Sequence, residues 1–468
     1  NMSNNIKFGT DGWRATPSTG LNEENIKICA QSFADYINDN FSDQKTILVG
    51  YDTRKASLRY AELASQVIKS NGIDVKITDR ATPTPLCSHH VKHNSMAGAV
   101  IITASHNSKD WNGFKVRSTK GISLNESEIS EIEKSVTYYS KNRFKIRHEN
   151  SDIKKVNIID SYINSLQEIV DIESINNSNL SIASDYMHGA VTGILEKILT
   201  NKKNVFLRSE INSEFPGMEQ PEPIEGNLKN LIKAVKNNNS DIGFAFDGDG
   251  DRLGVIDEKG NFQSASEVFL ILSSHVLENK SSIKSIATTV SMTSNINEIC
   301  KTYNSKALIT KVGFKHLAPL LEEEKVSFAG EESGGYSMIN HVSDKDGILS
   351  ALLYLEYLVK SKKSPSKSIS TIYDKFPKKQ FERIDNKFSE VDRKKIQEKI
   401  ENLDTFIEKN YQITKKDFTD GKKFFIDNNS WILIRLSGTE PVYRIYIESP
   451  NKIILEEIKN QFLEYFNN

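Results

Sequence analysis

The sequence has very little cysteine, with only Cys29, Cys87 and Cys300 among 468 residues. Three widely spaced cysteines make neither a disulfide framework nor the ligand spacing of a zinc site. We therefore expect small buried side chains and a reducing, cytoplasmic location. No apolar run reaches the ~18 residues that a membrane helix needs, and residues 1–11 have no apolar signal core. A membrane partner is not expected.

The chain also lacks an excess of charge of either sign, because 61 Lys and Arg residues stand against 62 Asp and Glu residues. This balance argues against nucleic acid or an anionic membrane as the main partner, although it leaves room for a local basic cleft. A chain of 468 residues is too long for one ordinary core. At roughly one domain per 150 residues, its length suggests about three or four domains.

Apolar strands alternate with amphipathic helices along the first three quarters of the chain. A strand at 46–51 precedes a helix at 58–71, and the strand at 97–103 is apolar nearly throughout. Such a run is typical of a strand that is covered on both faces. Asn125 and Glu128 form a capping-box pattern that opens a further helix.

This alternation repeats, which predicts three tandem doubly wound α/β domains at 1–150, 151–257 and 258–368. The second of these is expected to contain a helix at 189–199. A Lys- and Ser-rich stretch at 360–368 is interpreted as a linker. A smaller α+β domain is predicted at 369–468.

Ser105 follows the strand predicted at 97–103. Ligands of open α/β sheets bind at the carboxyl ends of strands, so a serine there can be phosphorylated or can attack a substrate. A lone serine at such a place is more often a turn cap. The neighbouring His106 and Asn107, and the cation of Lys115, favour a functional role.

Asp247, Asp249 and Asp251 follow the strand predicted at 242–246. Alternate residues of an extended segment face one side, so the three carboxylates can converge. Converging carboxylates repel one another unless a cation lies between them. Oxygen ligands select a hard ion, which makes Mg²⁺ the first expectation and Mn²⁺ the next. A purely structural acidic turn is the alternative.

The same segment has a rival interpretation as an EF-hand calcium loop. The aspartates would stand at loop positions one, three and five, and Glu258 at position twelve. However, Arg252 stands where the loop needs glycine, and the flanking segments are predicted to be strands rather than helices. The magnesium interpretation is therefore preferred.

A glycine-rich loop at 330–335 follows another apolar strand. Its Glu331 and Ser333 can form hydrogen bonds to neighbouring sugar hydroxyls. By itself, a plain glycine-rich turn is the more common explanation of such a loop.

The segment 435–439 joins two predicted strands near the end of the chain. Arg435 offers forked donors, Ser437 and Thr439 offer hydroxyls, and Gly438 exposes backbone N–H groups. These groups suit a phosphate. A simple hairpin turn is the alternative, although it does not explain the arginine.

Taken together in this order, the four motifs resemble those of the α-D-phosphohexomutase family, which contains phosphoglucomutases and phosphomannomutases. The similarity extends over essentially the whole chain, from residues 9–14 to residues 435–439. Membership implies four domains around a deep central cleft, three of them α/β and one a smaller C-terminal domain.

The resemblance also implies a role for each motif. It implies a phosphoserine at Ser105, whose oxygen would bind one Mg²⁺ per chain together with the three aspartates. It implies that Glu331 and Ser333 hold sugar hydroxyls, and that the 435–439 loop holds the phosphate that does not react.

The reaction expected from this resemblance interconverts hexose 1-phosphate and hexose 6-phosphate. It passes through a hexose 1,6-bisphosphate, which also serves as activator. Arg14 and Lys115 match family residues near the transferring group, and Arg252 adds positive charge. Lys115 is the candidate general acid or base, with His106 as the rival.

Glucose phosphates are the favoured substrates. Glu332, Gly335 and Lys315 are similar to the glucose branch of the family, whereas mannose-active relatives often carry methionine and histidine at the first two positions. A phosphomannomutase, or an enzyme active on both sugars, is the alternative. A Mg²⁺-dependent sugar phosphatase and a non-catalytic sugar-phosphate-binding protein are remote alternatives. We expect a monomer or a dimer.

Overall fold

Each of four β-sheets is built from strands that are consecutive in the sequence. The structure, a computed structural model, describes residues 6–9, 11–43, 45–427, 429–438 and 440–468. Within these residues, no helix combines the length and the apolar composition that a membrane crossing requires.

The first sheet is mixed and has six strands. Its strands are β1 (Trp13–Ala15), β2 (Thr46–Tyr51), β3 (Asp74–Thr78), β4 (Gly98–Ile102), β5 (Asn112–Ser118) and β6 (Lys154–Val156), and the helices of this unit are α1 (Glu23–Asn40), α2 (Ser57–Ser70), α3 (Thr84–His93) and α4 (Glu126–Lys141). The strand order is β1-β5-β4-β2-β3-β6. β4 is buried along its whole length, as its apolar sequence predicts. The predicted capping box of Asn125 and Glu128 begins α4.

The second sheet has five strands in the order β11-β10-β9-β7-β8. Its strands are β7 (Ile182–Asp185), β8 (Val205–Leu207), β9 (Ile242–Phe246), β10 (Leu253–Ile256) and β11 (Phe262–Gln263), and its helices are α5 (Ile159–Leu166), α6 (Ile172–Asn177) and α7 (Lys229–Asn237). The helix predicted at 189–199 is wrong, because this segment forms turns with one 3₁₀ turn at Leu195–Lys197. Gly193 has a φ of 83°, which interrupts a right-handed helix.

The third sheet has four strands in the order β13-β12-β14-β15. Its strands are β12 (Ile286–Thr289), β13 (Ala307–Thr310), β14 (Phe328–Gly330) and β15 (Tyr336–Met338), and its helices are α8 (Ala265–Asn279), α9 (Asn295–Thr302), α10 (Phe314–Glu322), α11 (Gly347–Ser361) and α12 (Pro365–Lys375). The stretch predicted as a linker thus ends one helix and begins another. Ser364 caps α12, and Pro365 occupies its first turn.

The fourth sheet is antiparallel, in the order β16-β20-β19-β18-β17. Its strands are β16 (Gln380–Lys387), β17 (Ile413–Asp417), β18 (Lys422–Ile426), β19 (Ser430–Leu436) and β20 (Val442–Ser449), and its helices are α13 (Arg393–Glu401), α14 (Leu403–Asn410) and α15 (Lys452–Asn467). The predicted fold class, three α/β units followed by a smaller α+β unit, is confirmed.

The apolar cores show which units are joined firmly. One cluster is continuous from Leu48 in the first unit through Phe244 in the second to Leu352 in the third. The C-terminal unit has a core of its own, centred on Ile432 and Phe462. The first three units therefore share buried apolar surface, while the fourth packs mainly on itself.

Candidate active site

Ser105 lies in the loop after β4, with its hydroxyl aimed at the carboxylates of the second unit. Its Oγ lies 2.9 Å from Oδ1 of Asp249 and 3.1 Å from Oδ2 of Asp247. The residue is buried and has a φ of 53°, in the left-handed region that a serine rarely occupies. This conformation costs roughly 1–2 kcal/mol, so surrounding contacts must hold it.

A buried arginine holds the serine loop in this conformation. Nη2 of Arg54 donates to the carbonyl oxygens of Ser105 at 2.9 Å and of Asn107 at 2.7 Å, and Nη1 donates to that of Ser108 at 2.6 Å. Asp52 in turn accepts from Nε of Arg54 at 3.0 Å. The sequence analysis missed this pair, although both residues directly follow β2, at the same edge of the sheet as Ser105.

The three aspartates converge as predicted. Asp247, Asp249 and Asp251 are fully buried, and one carboxylate oxygen from each lies within 4.8 Å of the others. The segment joins β9 to β10, which pair as antiparallel strands. Glu258 points elsewhere, since it accepts from the backbone N and the hydroxyl of Ser366 at 2.8 and 2.6 Å. An EF-hand is therefore excluded.

The electrostatics of this cluster leave room for a cation. Burial and the neighbouring Asp251 and Asp249 hold the pKa of Asp247 well above its usual range. Burial would also raise the pKa of Asp251. However, the positive charges of Lys345 and Lys115 outweigh burial and hold the pKa of that carboxyl well below its usual range. Both carboxylate oxygens of Asp251 are buried without a hydrogen-bond partner among the described residues. Three buried oxygen ligands with unused lone pairs fit a hard divalent ion.

Cations surround the cluster. Nζ of Lys115 lies 3.1 Å from Oδ2 of Asp249, and Nζ of Lys345 lies 3.5 Å from Oδ2 of Asp251. Arg252 has a buried Nε that has no hydrogen-bond partner in the part of the chain described. Arg14 donates to Oδ1 of Asn107 at 3.0 Å.

His106 lies beside the same cations. Its burial, and the neighbouring Arg252 and Arg14, lower the pKa of His106 to about 3. The ring is therefore neutral at physiological pH, and it has no proton to give as an acid. This distinguishes it from the ammonium groups around it.

The glycine-rich loop at 330–335, which we call the sugar loop, faces the same space. Glu331 is buried and accepts from the hydroxyl of Ser333 at 2.6 Å. Nζ of Lys345 lies 3.5 Å from Oε1 of Glu331. Lys345 thus contacts both the aspartate cluster and the sugar loop. Sequence reasoning did not select it as a site residue, because only the fold places residue 345 between residues 251 and 331.

A cavity of about 280 Å³ opens between the first three units. The residues of interest that line it are Arg14, Ser105, His106, Arg252, Lys315, Glu331 and Lys345. The structure therefore brings together the serine, the sugar loop and five cationic side chains, the fifth being Arg117. Lys115 and the three aspartates do not line the cavity and lie behind its wall. Ser333 does not line it either, and its hydroxyl donates to Glu331, which does.

The segment 435–439, which we call the arginine loop, does not line this cavity with any of its described residues, 435–438. Nη2 of Arg435 lies 3.2 Å from Oδ2 of Asp420, and its Nη1 lies 3.3 Å from the hydroxyl of Tyr446. The carbonyl of Ser437 accepts from Nη1 of Arg393 at 2.7 Å. Ser437 and Gly438 begin the turn, and Thr439 lies outside the described residues. Of the four motifs, the structure thus brings three to this cavity.

Sequence comparison divides the chain in the same way. Residues 5–143, 160–260 and 264–376 match the phosphoglucomutase/phosphomannomutase α/β/α domains I, II and III, and residues 381–465 match the C-terminal domain of the same family.

Relatives with assigned names are similar over nearly their whole length. A phosphoglucomutase/phosphomannomutase of Thermococcus kodakarensis is 30% identical over 98% of this chain and 96% of its own. A phosphoglucosamine/phosphogalactosamine mutase of Sulfurisphaera tokodaii is 30% identical over 97% of each chain. A phosphomannomutase of Methanocaldococcus jannaschii is 32% identical over 92% of each chain.

Solved structures share the fold. The open form of a phosphoglucomutase (parafusin) from Paramecium superposes with a TM-score of 0.85 at 21% identity, covering 99% of this chain and 95% of its own. A phosphoglucomutase/phosphomannomutase family protein of Burkholderia thailandensis gives 0.83 at 20% identity, covering 99% and 97%. The chain belongs to the phosphoglucomutase/phosphomannomutase family, the α-D-phosphohexomutases, and is an isomerase that transfers a phosphoryl group within hexose phosphates.

Proposed function

We propose that this phosphohexomutase interconverts glucose 1-phosphate and glucose 6-phosphate, with Ser105 as the residue that carries the phosphoryl group. The observation that carries the proposal is the position of the Ser105 hydroxyl. It lies 2.9 Å from Asp249 and lines the same cavity as Glu331 of the sugar loop. A group attached to Ser105 would reach both the carboxylate cluster and a sugar in the cavity.

The proposed reaction consists of two phosphoryl transfers. The free hydroxyl of the hexose monophosphate attacks the phosphorus on Ser105, and the bond from phosphorus to Oγ breaks. The proton of that hydroxyl passes to a base, and the departing Oγ takes up a proton from an acid. The resulting hexose 1,6-bisphosphate reorients in the cavity, so that its other phosphate faces Ser105, and it returns that phosphoryl group to Ser105. Positioning and charge neutralisation supply most of the catalysis in such transfers.

Lys115 is the proposed general acid and base. Its Nζ lies 3.1 Å from Asp249, the carboxylate that also contacts Ser105. A lysine there can give a proton to Oγ as it leaves and can take one in the reverse direction. The pKa of about 3 at His106 makes the imidazole a poor proton donor at neutral pH. We therefore assign His106 to positioning the substrate.

Asp247, Asp249, Asp251 and an oxygen on Ser105 would hold one Mg²⁺ per chain. When bound, the ion would supply positive charge to the transferring oxygens. Arg14 and Arg252 would neutralise the same oxygens from the cavity side, as the unpartnered Nε of Arg252 suggests. If Ser105 carries no phosphoryl group, a hexose 1,6-bisphosphate would have to phosphorylate it. That compound is therefore the proposed activator.

The sugar and its second phosphate would be held by different motifs. Glu331 and Ser333 would bind two ring hydroxyls, and Lys315, which also lines the cavity, would bind the substrate. Arg435, Ser437, Gly438 and Thr439 would hold the phosphate that does not react. The bisphosphate must bind in two opposite orientations. These residues should therefore contact only the groups that occupy the same place in both orientations, which are one phosphate and the hydroxyls in the middle of the ring.

Glucose is proposed over mannose on the character of the sugar loop, in which Glu332 and Gly335 resemble the glucose branch. Named relatives include phosphomannomutases and phosphoglucosamine mutases, so both sugars are competing substrates in the test. The domain boundaries predicted at 150, 257 and 368 need to move towards the C-terminus. β6 still pairs in the first sheet, β11 still pairs in the second, and residue 368 falls inside α12.

The test compares initial rates for glucose 1-phosphate, mannose 1-phosphate and glucosamine 1-phosphate, with and without Mg²⁺ and a bisphosphate primer. The highest kcat/KM is expected for glucose 1-phosphate. Epimers differ by only about 1–3 kcal/mol in a permissive site, so mannose 1-phosphate should react measurably. A higher kcat/KM for either of the other sugars would overturn the glucose assignment. Release of inorganic phosphate without isomer would instead indicate a phosphatase.

A further inference from the structure

A second cavity, of about 450 Å³, lies between the third unit and the C-terminal unit. Its aromatic floor is formed by Phe425 and the buried Trp431 of the C-terminal sheet. Trp431 is four residues before Arg435 along β19, which places it about 13 Å from the arginine loop. This hinge groove, as we call it, is distinct from the cavity at Ser105, with which it shares no lining residue.

Lysines dominate the hinge groove. It is lined by Lys301, Lys306, Lys379, Lys415 and Lys423 and by two carboxylates, Glu298 and Asp417. Glu298 is already paired with Lys301 at 3.1 Å, and Asp417 accepts from the backbone N and the hydroxyl of Thr419. Among the described residues, no carboxylate lies within 4 Å of the other four ammonium groups. The groove therefore has a local excess of positive charge in a nearly neutral protein.

One of these cations is built into the floor. Lys423 is buried, its Nζ donates to the carbonyl of Val290 at 2.6 Å, and the same ammonium lies 4.1 Å from the ring centre of Trp431. A buried lysine held over an aromatic ring loses the mobility of a surface lysine. It also joins the C-terminal unit to the end of β12 in the third unit.

The wall of the groove is connected to the sugar loop. The hydroxyl of Thr289, which lines the groove, donates to Oε2 of Glu332 at 2.6 Å. On the other wall, Oε1 of Glu448 accepts from the hydroxyl of Ser294 at 2.7 Å and from Nε1 of Trp431 at 2.9 Å. A ligand in the groove would touch both units at the place where they meet.

We propose that the hinge groove binds a small phosphorylated polyanion, with Lys306, Lys379 and Lys415 as its charged contacts. Lys306 belongs to the third unit and Lys415 to the fourth, so a bound polyanion bridges the two. A ligand with a single negative charge would neutralise only one of these three lysines. The groove should therefore bind a polyanion more tightly than a monoanion. Occupancy holds the C-terminal unit, with its arginine loop, in one orientation relative to the sugar loop.

The test uses the full chain labelled with 5-fluorotryptophan and observed by ¹⁹F NMR. The three tryptophans give three signals, assigned by replacing each in turn with phenylalanine. Inorganic pyrophosphate is added in magnesium-free buffer at constant ionic strength. The Trp431 signal is expected to shift saturably.

The variant Lys306→Met/Lys379→Met/Lys415→Met should raise the midpoint for Trp431 by at least about tenfold. The control, Lys394→Met/Lys395→Met/Lys409→Met, removes three exposed lysines of the C-terminal unit that do not line the groove, and it should leave the midpoint unchanged. A Trp431 signal that does not move, or that moves equally in both variants, would overturn the proposal.

A parallel titration identifies the source of the phosphates. A lower midpoint for hexose 1,6-bisphosphate than for pyrophosphate, still dependent on the three lysines, assigns the groove to sugar phosphates. The reverse order assigns it to polyphosphates such as those of nucleotides. Failure of the mutase assay would leave these binding results unaffected, because they use no turnover.

Discussion

Lys345 crosses directly over the α-carbon of Gly335, so that a β-carbon built on residue 335 would lie 2.2 Å from Cδ of Lys345. Only glycine leaves this path open. The path allows Nζ of Lys345 to lie 3.5 Å from both Asp251 and Glu331, which connects the aspartate cluster to the sugar loop. The absence of a side chain at Gly335 is therefore required by the position of Lys345.

Replacing Gly335 with alanine should displace Lys345 and lower kcat/KM for glucose 1-phosphate. Misplacement of a site group by about 1 Å costs on the order of 10²-fold, which is the expected size of the loss. Steady-state rates check this. Gly226→Ala is the control, because a β-carbon there meets nothing within 4 Å. Equal rates for the two variants would mean that the position of Lys345 is unimportant.

Ser105→Ala should abolish mutase turnover, because the proposed phosphoryl carrier is removed. A loss of more than about 10³-fold is expected for a residue that forms the covalent intermediate. Intact mass spectrometry should show one added phosphoryl group on the wild-type chain and none on the variant. Ser108→Ala, three residues along the same loop, should keep both. Near-normal turnover of Ser105→Ala would end the scheme.

The three aspartates should bind a divalent ion without help from Glu258. Asp247→Asn should weaken Mn²⁺ binding by at least about tenfold, because it removes one of three charged ligands. Glu258→Gln should leave the affinity unchanged, because Glu258 contacts Ser366 instead. Titration of free Mn²⁺ by electron paramagnetic resonance measures both. A large effect of Glu258→Gln would contradict the assignment of the metal ligands to the three aspartates.

Glu356 should make the protein sensitive to acid. Burial opposes the shift, but hydrogen bonds from His275, from the backbone N of Asp171 and from Lys280 lower the pKa of Glu356 to about 2 from its ordinary value of 4.5. A depressed folded-state pKa stabilises the protein above pH 4.5, and this contribution is lost as the pH falls through about 2. It amounts to roughly 3 kcal/mol of unfolding free energy.

Urea unfolding from pH 5 downwards checks this, with Glu356→Gln as the variant. The wild type should be the more stable at pH 5, and the difference should shrink as the pH falls. Glu398→Gln, on the exposed face of α13, should run parallel to the wild type. A difference that is independent of pH would show that Glu356 does not titrate as described.

The C-terminal unit should move when a phosphorylated ligand binds. Arg435 now contacts Asp420 and Tyr446 and does not line the cavity at Ser105, so its loop must approach to hold a phosphate there. The radius of gyration from small-angle scattering should decrease on addition of hexose 1,6-bisphosphate. Arg435→Ala should reduce this compaction, whereas Arg59→Ala, a surface residue, should not. An unchanged radius in the wild type would contradict the hinge.

Local sequence was sufficient where an element is defined by its own residues. β9 was predicted at the bounds the structure gives, because five apolar residues end abruptly at Asp247. Sequence was not sufficient for β16, where half-buried and exposed residues alternate and only pairing with β20 defines the strand. The helix expected at 189–199 failed for a related reason, since the apolar residues pack there without helical backbone.

The sequence by itself determined which groups are present and in what order: a serine, three aspartates, a sugar loop and an arginine loop, each at the end of a strand. Only the tertiary structure decided which of them meet. Ser105 and Asp249 are 144 residues apart, yet they lie 2.9 Å from each other. Only the structure shows that Arg54 and Lys345 belong to the site, and that the described residues of the arginine loop do not line the cavity. The reason is that a motif fixes chemistry locally, whereas distances between motifs depend on how the four units pack against one another.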